Sequence, residues 1–255
     1  MKTITLFPHQ EKSVCDIRHA FSQGHRTVLY LLPTGGGKTV VFTNITMLAS
    51  QKGSRVMILV HRDSLFKQTA KTLSNFGVRH GLIGAGYQHD YSKNVQVAKI
   101  ATVVNRLDKF TPDFIIVDEC HHTNAATYKK VLSAYPNAKV LGVTATPCRT
   151  DGTGLGETYS IMVSGPTITE LIEMGFLVEP RIFCPPVGVD LSGVKKSMGD
   201  YSKSELDVVM DKPKITGDVI THYKRLADGL PTVAFCVSVQ HATHVSEMFR
   251  SQGYR

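Results

Sequence analysis

Four short apolar runs, Val28–Leu32, Val56–Val60, Phe114–Val117 and Val140–Val143, recur along the chain. None alternates apolar with polar residues, so each suits a strand covered on both faces. Between the runs, apolar residues take helical spacing. Helices are predicted over Pro8–Ser22, with Ile17 and Phe21 on the apolar face, and over Lys38–Ser50, Asp63–Asn75, Thr102–Phe110 and Ala125–Tyr135. Strands alternating with helices predict an α/β fold, a parallel sheet with helical crossovers.

Each run ends in polar chemistry. Val28–Leu32 leads into PTGGGKT, Val56–Val60 into His61-Arg62-Asp63, Phe114–Val117 into Asp118-Glu119-Cys120-His121, and Val140–Val143 into Thr144-Ala145-Thr146-Pro147. Open parallel sheets hold their ligands at the carboxyl ends of the strands. The pattern therefore predicts one shared site assembled from four loops.

The text changes after Asp151. Gly152, Gly154, Gly156, Gly165 and Pro166 interrupt it, and Pro180, Pro185 and Pro186 follow. A short helix over Thr167–Met174, a strand over Arg181–Cys184 and a loop over Gly188–Asp200 are expected. From Lys214 a helix to Asp228, a strand over Thr232–Val237 and a helix over Gln240–Gln252 look like the opening of a second domain.

The glycine loop carries the chemistry. Glycines let backbone N–H groups turn inward and approach phosphate oxygens, and the helix that follows points its positive end at the same anion. Thr34, Gly35, Gly36 and Gly37 form this cradle; Lys38 is placed to reach the β- and γ-phosphates of ATP, and the Thr39 hydroxyl to hold Mg²⁺. Leu32 stands where the general G-x-x-x-x-G-K-[ST] pattern has its first glycine. Of the paired carboxylates, Asp118 can hold Mg²⁺ and Glu119 can orient or deprotonate the attacking water. Cys120, His121 and His122 are metal-ligand types, but three adjacent residues rarely point at one ion, and no fourth ligand stands nearby at a suitable spacing.

Bulk properties narrow the classes. The 255 residues suit one large domain or two smaller ones, and 42% apolar content argues against general disorder. No apolar run approaches the ~20 residues of a spanning helix. The start, MKTITLFPHQ, lacks the apolar stretch and cleavage site of a signal peptide. A net charge of +8 and an isoelectric point of about 9.2 fit a nucleic-acid-binding domain, and equally fit ordinary solubility charge. The five cysteines, Cys15, Cys120, Cys148, Cys184 and Cys236, are widely spaced with no CxxC pair, as expected of reduced thiols in a cytoplasmic protein.

In order and spacing these segments resemble the superfamily 2 helicases of the DEAD/DEAH-box type. PTGGGKT resembles motif I, Asp118-Glu119-Cys120-His121 a DExH motif II, and Thr144-Ala145-Thr146-Pro147 motif III. Gln10 stands where the adenine-reading glutamine does. LVHRDSLFKQT resembles motif Ia, Ala101–Arg106 motif Ib, and FCVSVQHA motif IV. TATPCRTDGTGL, with GPTITELIEMGFL after it, is similar to a bacterial and phage branch related to RadD-like and XPB-like motors.

The resemblance implies a RecA-like domain over 1–165, a connecting segment over 166–212 and the truncated start of a second RecA-like domain over 213–255. It implies an ATP-dependent DNA helicase or translocase, in which two such domains clamp one ATP. Gln10 would read adenine; Arg62, Thr102 and Arg106 would meet nucleic-acid phosphates, a contact without sequence information. His121, Thr144 and Thr146 would couple nucleotide state to strand binding. Bland roles stand beside these: a helix-terminal residue for Gln10, a solvated charge for Arg62, loop hydrogen bonding for the threonines. No role is assigned to Arg149 or Asp151. No motif VI arginine finger, worth roughly 10³–10⁵ in turnover, occurs between Phe235 and Arg255. The expectation is a chain that binds nucleotide, hydrolyses it slowly, and needs the rest of a second motor domain to unwind. An RNA-dependent ATPase and an ATP-switched binding module are the alternatives. A small-molecule P-loop kinase fits poorly with Gln10 and the TATP segment.

Overall fold

The computed structural model describes residues 4–122, 126–148, 152, 154–183, 189–197, 200–211 and 213–254. Arg149, Asp151, Cys184 and the Pro185-Pro186 pair lie outside the described residues. The chain divides into two compact units, Met1–Pro180 and Arg181–Arg255. Among the described residues no helix is long and apolar enough to cross a membrane.

The first unit is built on a seven-stranded sheet whose neighbouring strands are all parallel. Its strands are β1 (Thr27–Leu31), β2 (Val56–Val60), β3 (Gly81–Ile83), β4 (Val95–Lys99), β5 (Phe114–Asp118), β6 (Lys139–Thr144) and β7 (Ile161–Ser164). They lie in the order β3-β4-β2-β5-β6-β1-β7, so the four apolar runs are adjacent strands at its centre. Helices α1 (Pro8–Ser22), α2 (Lys38–Gln51), α3 (Asp63–Asn75), α4 (Ile100–Val103), α5 (Ala126–Ala134) and α6 (Ile168–Glu173) complete the unit.

Alternate residues of each central strand feed different cores, which is why the runs lack polar positions. Val28, Tyr30, Ile58, Ile116 and Leu141 pack with Ile17 of α1, Phe42 of α2 and Phe66 of α3. Leu29, Met57, Leu59, Ile115 and Val140 pack with Val103 of α4 and Tyr128 and Val131 of α5. Each face is thus sealed by its own helices, the arrangement that buries a parallel sheet. This is the RecA-like α/β architecture.

Three strands escape the apolar-run criterion. β3 is three residues long, β7 is half-exposed, and β4 carries Gln96, fully buried, as its second residue. The Gln96 side-chain amide donates to the backbone oxygens of Asp90 (2.7 Å) and Lys93 (3.0 Å), which meets part of its cost of burial. The helix expected over Thr102–Phe110 shrinks to α4, a single turn. The chain then continues in tight turns, with Arg106 N donating to Val103 O (2.8 Å) and Lys109 N to Arg106 O (3.2 Å). Val103, Val104, Asn105 and Asp108 all favour other conformations over helix.

Residues 166–180 belong to the first compact unit. Leu171 of α6 is fully buried, and Phe176 packs on the rings of Phe7 and His9, both at 4.6 Å between centroids.

The second unit holds a short antiparallel pair, β8 (Lys196–Ser197) with β9 (Asp200–Tyr201), and helices α7 (Lys203–Met210), α8 (Pro213–Leu226) and α9 (Val239–Ser251). Tyr223, Phe249 and Tyr254 pack ring against ring between α8 and the end of α9. The strand expected over Thr232–Val237 does not form. Val233 and Phe235 are 77% and 95% exposed, and among the described residues no strand lies alongside to complete a ladder. The described residues 181–183 likewise form no strand.

Candidate active site

β1, β6, β5 and β2 all present their carboxyl ends along one edge of the sheet, where the four polar loops gather. The loop after β1 turns through Gly35 and Gly37, both left-handed (φ 87° and 91°), and Gly37 caps α2. A side chain at Gly37 would also collide with the Gln10 amide. Leu32 has a job that glycine could not do. Its buried side chain fills the space beneath Gly36 and Gly165, while its backbone oxygen accepts from Lys38 Nζ at 3.1 Å. Its N–H donates to Thr144 O (3.1 Å), tying the glycine loop to the end of β6.

Gln10 and His9 grip the loop from the other side. Gln10 Nε2 donates to Gly36 O (3.3 Å), and His9 Nε2 lies at the same distance from that oxygen. Gln10 Oε1 accepts from the Phe7 N–H (3.1 Å), which satisfies one open donor at the start of α1. The glutamine therefore serves the helix end and the loop together. The aromatic neighbours were missed in the sequence. Phe7, 54% exposed, and Phe176 flank this corner, and Leu177 lies against Gly35. Their signal was available in FPHQ and EMGFL, as aromatic residues beside a glutamine and a turn glycine.

Opposite the loop stand the carboxylates. Asp118 ends β5 and is 7% exposed; burial first, and then the adjacent Glu119 charge, push its carboxyl up to about 6. Asp118 Oδ1 accepts from the Glu119 N–H at 3.1 Å. Burial lowers the Lys38 ammonium from its usual value, and Glu119 and Asp118 pull it partly back. A buried carboxylate at this elevated value, facing one ammonium, is suited to a divalent cation. Asp118 with the Thr39 hydroxyl supplies hard oxygen donors of the kind Mg²⁺ takes beside nucleotide phosphates.

Glu119 has φ 53°, the one positive value at a non-glycine position among the described residues. Such a conformation costs about 1–2 kcal/mol and persists only where surrounding contacts impose it. A 3-10 turn, Cys120–His122, follows directly, with Cys120 fully buried. His121 Nδ1 lies 3.4 Å from Glu119 Oε2 and 3.1 Å from Thr144 Oγ1. Thr144 Oγ1 in turn donates to Thr146 O (2.9 Å) and accepts from Thr146 N–H (3.1 Å). The Asp-Glu loop and the TAT turn are thus joined through one imidazole.

A second imidazole contact runs toward β2. The rings of His121 and His122 lie 4.1 Å apart, and His122 meets His61 edge to face at 4.5 Å. Both ring nitrogens of His61 are buried without a hydrogen-bond partner. Burial lowers the pKa of His61 and of His122, and the neighbouring imidazoles and Arg62 push in the same direction. Next to His61, Arg62 is exposed at the start of α3. Thr102 is buried, and its carbonyl accepts from Arg106 Nη1 at 3.3 Å. The structure thus gathers Gln10, the glycine loop, Asp118, Glu119, His121 and Thr144 at one edge, with Arg62 one imidazole row away. Thr102 and Arg106 follow β4, the strand beside β2.

A RecA-like sheet with these loops at adjacent strand ends defines the ATP-binding domain of a superfamily 2 helicase. Over residues 3–149 the chain matches the family described as type III restriction enzyme, res subunit, and it belongs to that family. It is 34% identical over 224 residues to a 51.5 kDa protein of Lactococcus phage (isolate 7-9), covering 88% of this chain and 46% of that protein. It is 27% identical over 267 residues to the Saccharomyces cerevisiae protein assigned as ATP-dependent helicase IRC3, covering 96% of this chain and 39% of the relative. The chain therefore spans less than half the length of these relatives. A fragment assigned to the HsdR subunit of a type I restriction enzyme from Vibrio vulnificus YJ016 has the same fold. Its TM-score is 0.66 at 21% identity, over 96% of this chain and 46% of that one.

Proposed function

We propose that this chain is the nucleotide-hydrolysing part of a cytoplasmic DNA helicase or translocase. The observation that carries the reading is the shared Nδ1 of His121, within reach of both Glu119 and Thr144. A simple phosphate-binding domain has no need of that bridge. A motor needs one, because the state of the γ-phosphate must reach the strand-binding loops.

In this reading the glycine-loop N–H groups and the end of α2 hold the phosphates, and Lys38 leaves the Leu32 carbonyl to meet them. Gln10 and the exposed Phe7 face the adenine. Mg²⁺, held by Thr39 and Asp118, would neutralise phosphate charge. Glu119 orients the attacking water and takes its proton. Thr144 and Thr146 respond through His121, and Arg62, Thr102 and Arg106 contact the nucleic-acid backbone. Residues 1–165 form the RecA-like domain in this scheme, 166–212 connect it, and 213–255 open the second. The helicase assignment of the yeast relative and the basic net charge support a nucleic-acid substrate.

The test is ATP turnover by the protein with DNA or RNA oligonucleotides of matched sequence. DNA is expected to stimulate turnover more than RNA, and Lys38→Ala to abolish it. Turnover unchanged in Lys38→Ala would sink the site. Stimulation by RNA alone would move the substrate to RNA, and no stimulation by either would leave an ATP switch.

A further inference from the structure

The other end of the sheet carries a second concavity, remote from the phosphate loop. β5 and β6 begin there, at Phe114 and Lys139, and α1 and α2 end there. The cavity measures about 560 Å³, within the roughly 300–1,000 Å³ of ligand sites. Its floor is apolar: Phe21 and Phe114 meet edge to face at 5.6 Å, and Ile45, Leu48 and Ala49 of α2 complete it.

Around this floor stand three cations from three different elements. Arg18 belongs to α1, Lys52 caps the end of α2, and Lys139 opens β6. All three are exposed, and the Lys139 ammonium lies 5.5 Å from the centre of the Phe21 ring. None of the three has an ion-pair partner among the described residues. Asp113, the one carboxylate among the lining residues, already accepts from the Arg55 N–H at 2.8 Å.

We infer that this cavity docks an acidic segment of a partner protein, which inserts one or two large apolar side chains and sets its carboxylates against Arg18, Lys52 and Lys139. The number of cations selects this occupant. A small monoanion meets one of them, whereas a chain with several carboxylates meets all three. A nucleic-acid backbone would satisfy the cations but leave the apolar floor uncovered. Apolar anchoring supplies affinity here, and the charge pattern supplies selectivity and association rate. The inference is independent of how the ATP site works.

Fluorescence anisotropy on this chain tests it, with a labelled peptide of Phe-Leu flanked by aspartates. One control peptide replaces every aspartate by lysine; the other replaces Phe-Leu by Ala-Ala. The acidic peptide is expected to bind at least ~10-fold more tightly than either control. Combining Arg18→Glu, Lys52→Glu and Lys139→Glu should weaken it by ~10-fold, while binding of a fluorescent ATP analogue and the far-UV circular dichroism stay unchanged. Leu48→Gln, at a half-exposed position, should weaken it about 5-fold and reports on the floor alone. Equal affinity for the three peptides, absence of binding, or undiminished binding to the triple variant overturns the proposal. Displacement of the peptide by an equimolar single-stranded oligonucleotide overturns it too, because the patch would then be a phosphate site.

Discussion

Asp118→Asn is expected to make the protein more stable and inactive at once. The Asp118 carboxyl moves from 3.8 to about 6 on folding, chiefly through burial. Between those values the folded state holds the extra proton, so stability falls as pH rises through the window and the full penalty applies above it. At about 1.4 kcal/mol per pH step the penalty near neutrality is about 3 kcal/mol. Asparagine carries no charge, and its side-chain oxygen can still accept from the Glu119 N–H. For a unit of this size the gain corresponds to roughly 5–10 °C in Tm. Thermal melts at about pH 7.5 and about pH 4 measure it: the gain should be present at the first and nearly absent at the second. Mg²⁺ with ATP should raise the Tm of the native protein and leave that of the variant unmoved. A variant no more stable than the native protein at pH 7.5 refutes the burial argument, as does a gain that persists at pH 4.

Glu119→Gln should retain ATP binding and lower turnover by at least ~10²-fold; lost binding would reverse the division of labour between the two carboxylates. Gly37→Ala places a methyl group against the Gln10 amide at φ 91°, and should cost at least about 1–2 kcal/mol in thermal melts while weakening the ATP analogue. Thr144→Val keeps the shape of the side chain and removes the His121 hydrogen bond. ATP affinity should stay within about 2-fold while the nucleic-acid stimulation of turnover falls; equal stimulation in the variant would detach Thr144 from coupling.

The centre of the fold was legible because burial on both faces writes strands as uninterrupted apolar text. That rule found β1, β2, β5 and β6, and their four loops with them. It missed β4, because Gln96 puts an amide inside the sheet and meets part of its cost with local backbone oxygens. It overreached at Thr232–Val237, where an apolar run alone cannot supply the neighbour a strand needs. In the site, the residues of a continuous motif were readable, including Leu32 as an exception whose reason only packing reveals. What arises from distant segments was not readable. The approach of Phe176 and Leu177 to the glycine loop, and of His61 to His122, depends on how loops far apart in sequence pack together.

The imidazole row from His61 through His122 to His121 has a consequence for ionic strength. Its ring-to-ring contacts are packing contacts, since burial and mutual repulsion hold His61 and His122 below the usual histidine range and so uncharged near neutral pH. In the proposed function Arg62 would hold phosphate through counterion release, a grip that loosens steeply as salt rises. The contact between the uncharged rings of His61 and His122 has no such dependence. Added salt should therefore act at saturation like a clutch slipping on a sound gearbox. It raises the nucleic-acid concentration needed for half-maximal stimulation, and leaves the size of that stimulation unchanged once enough strand is bound.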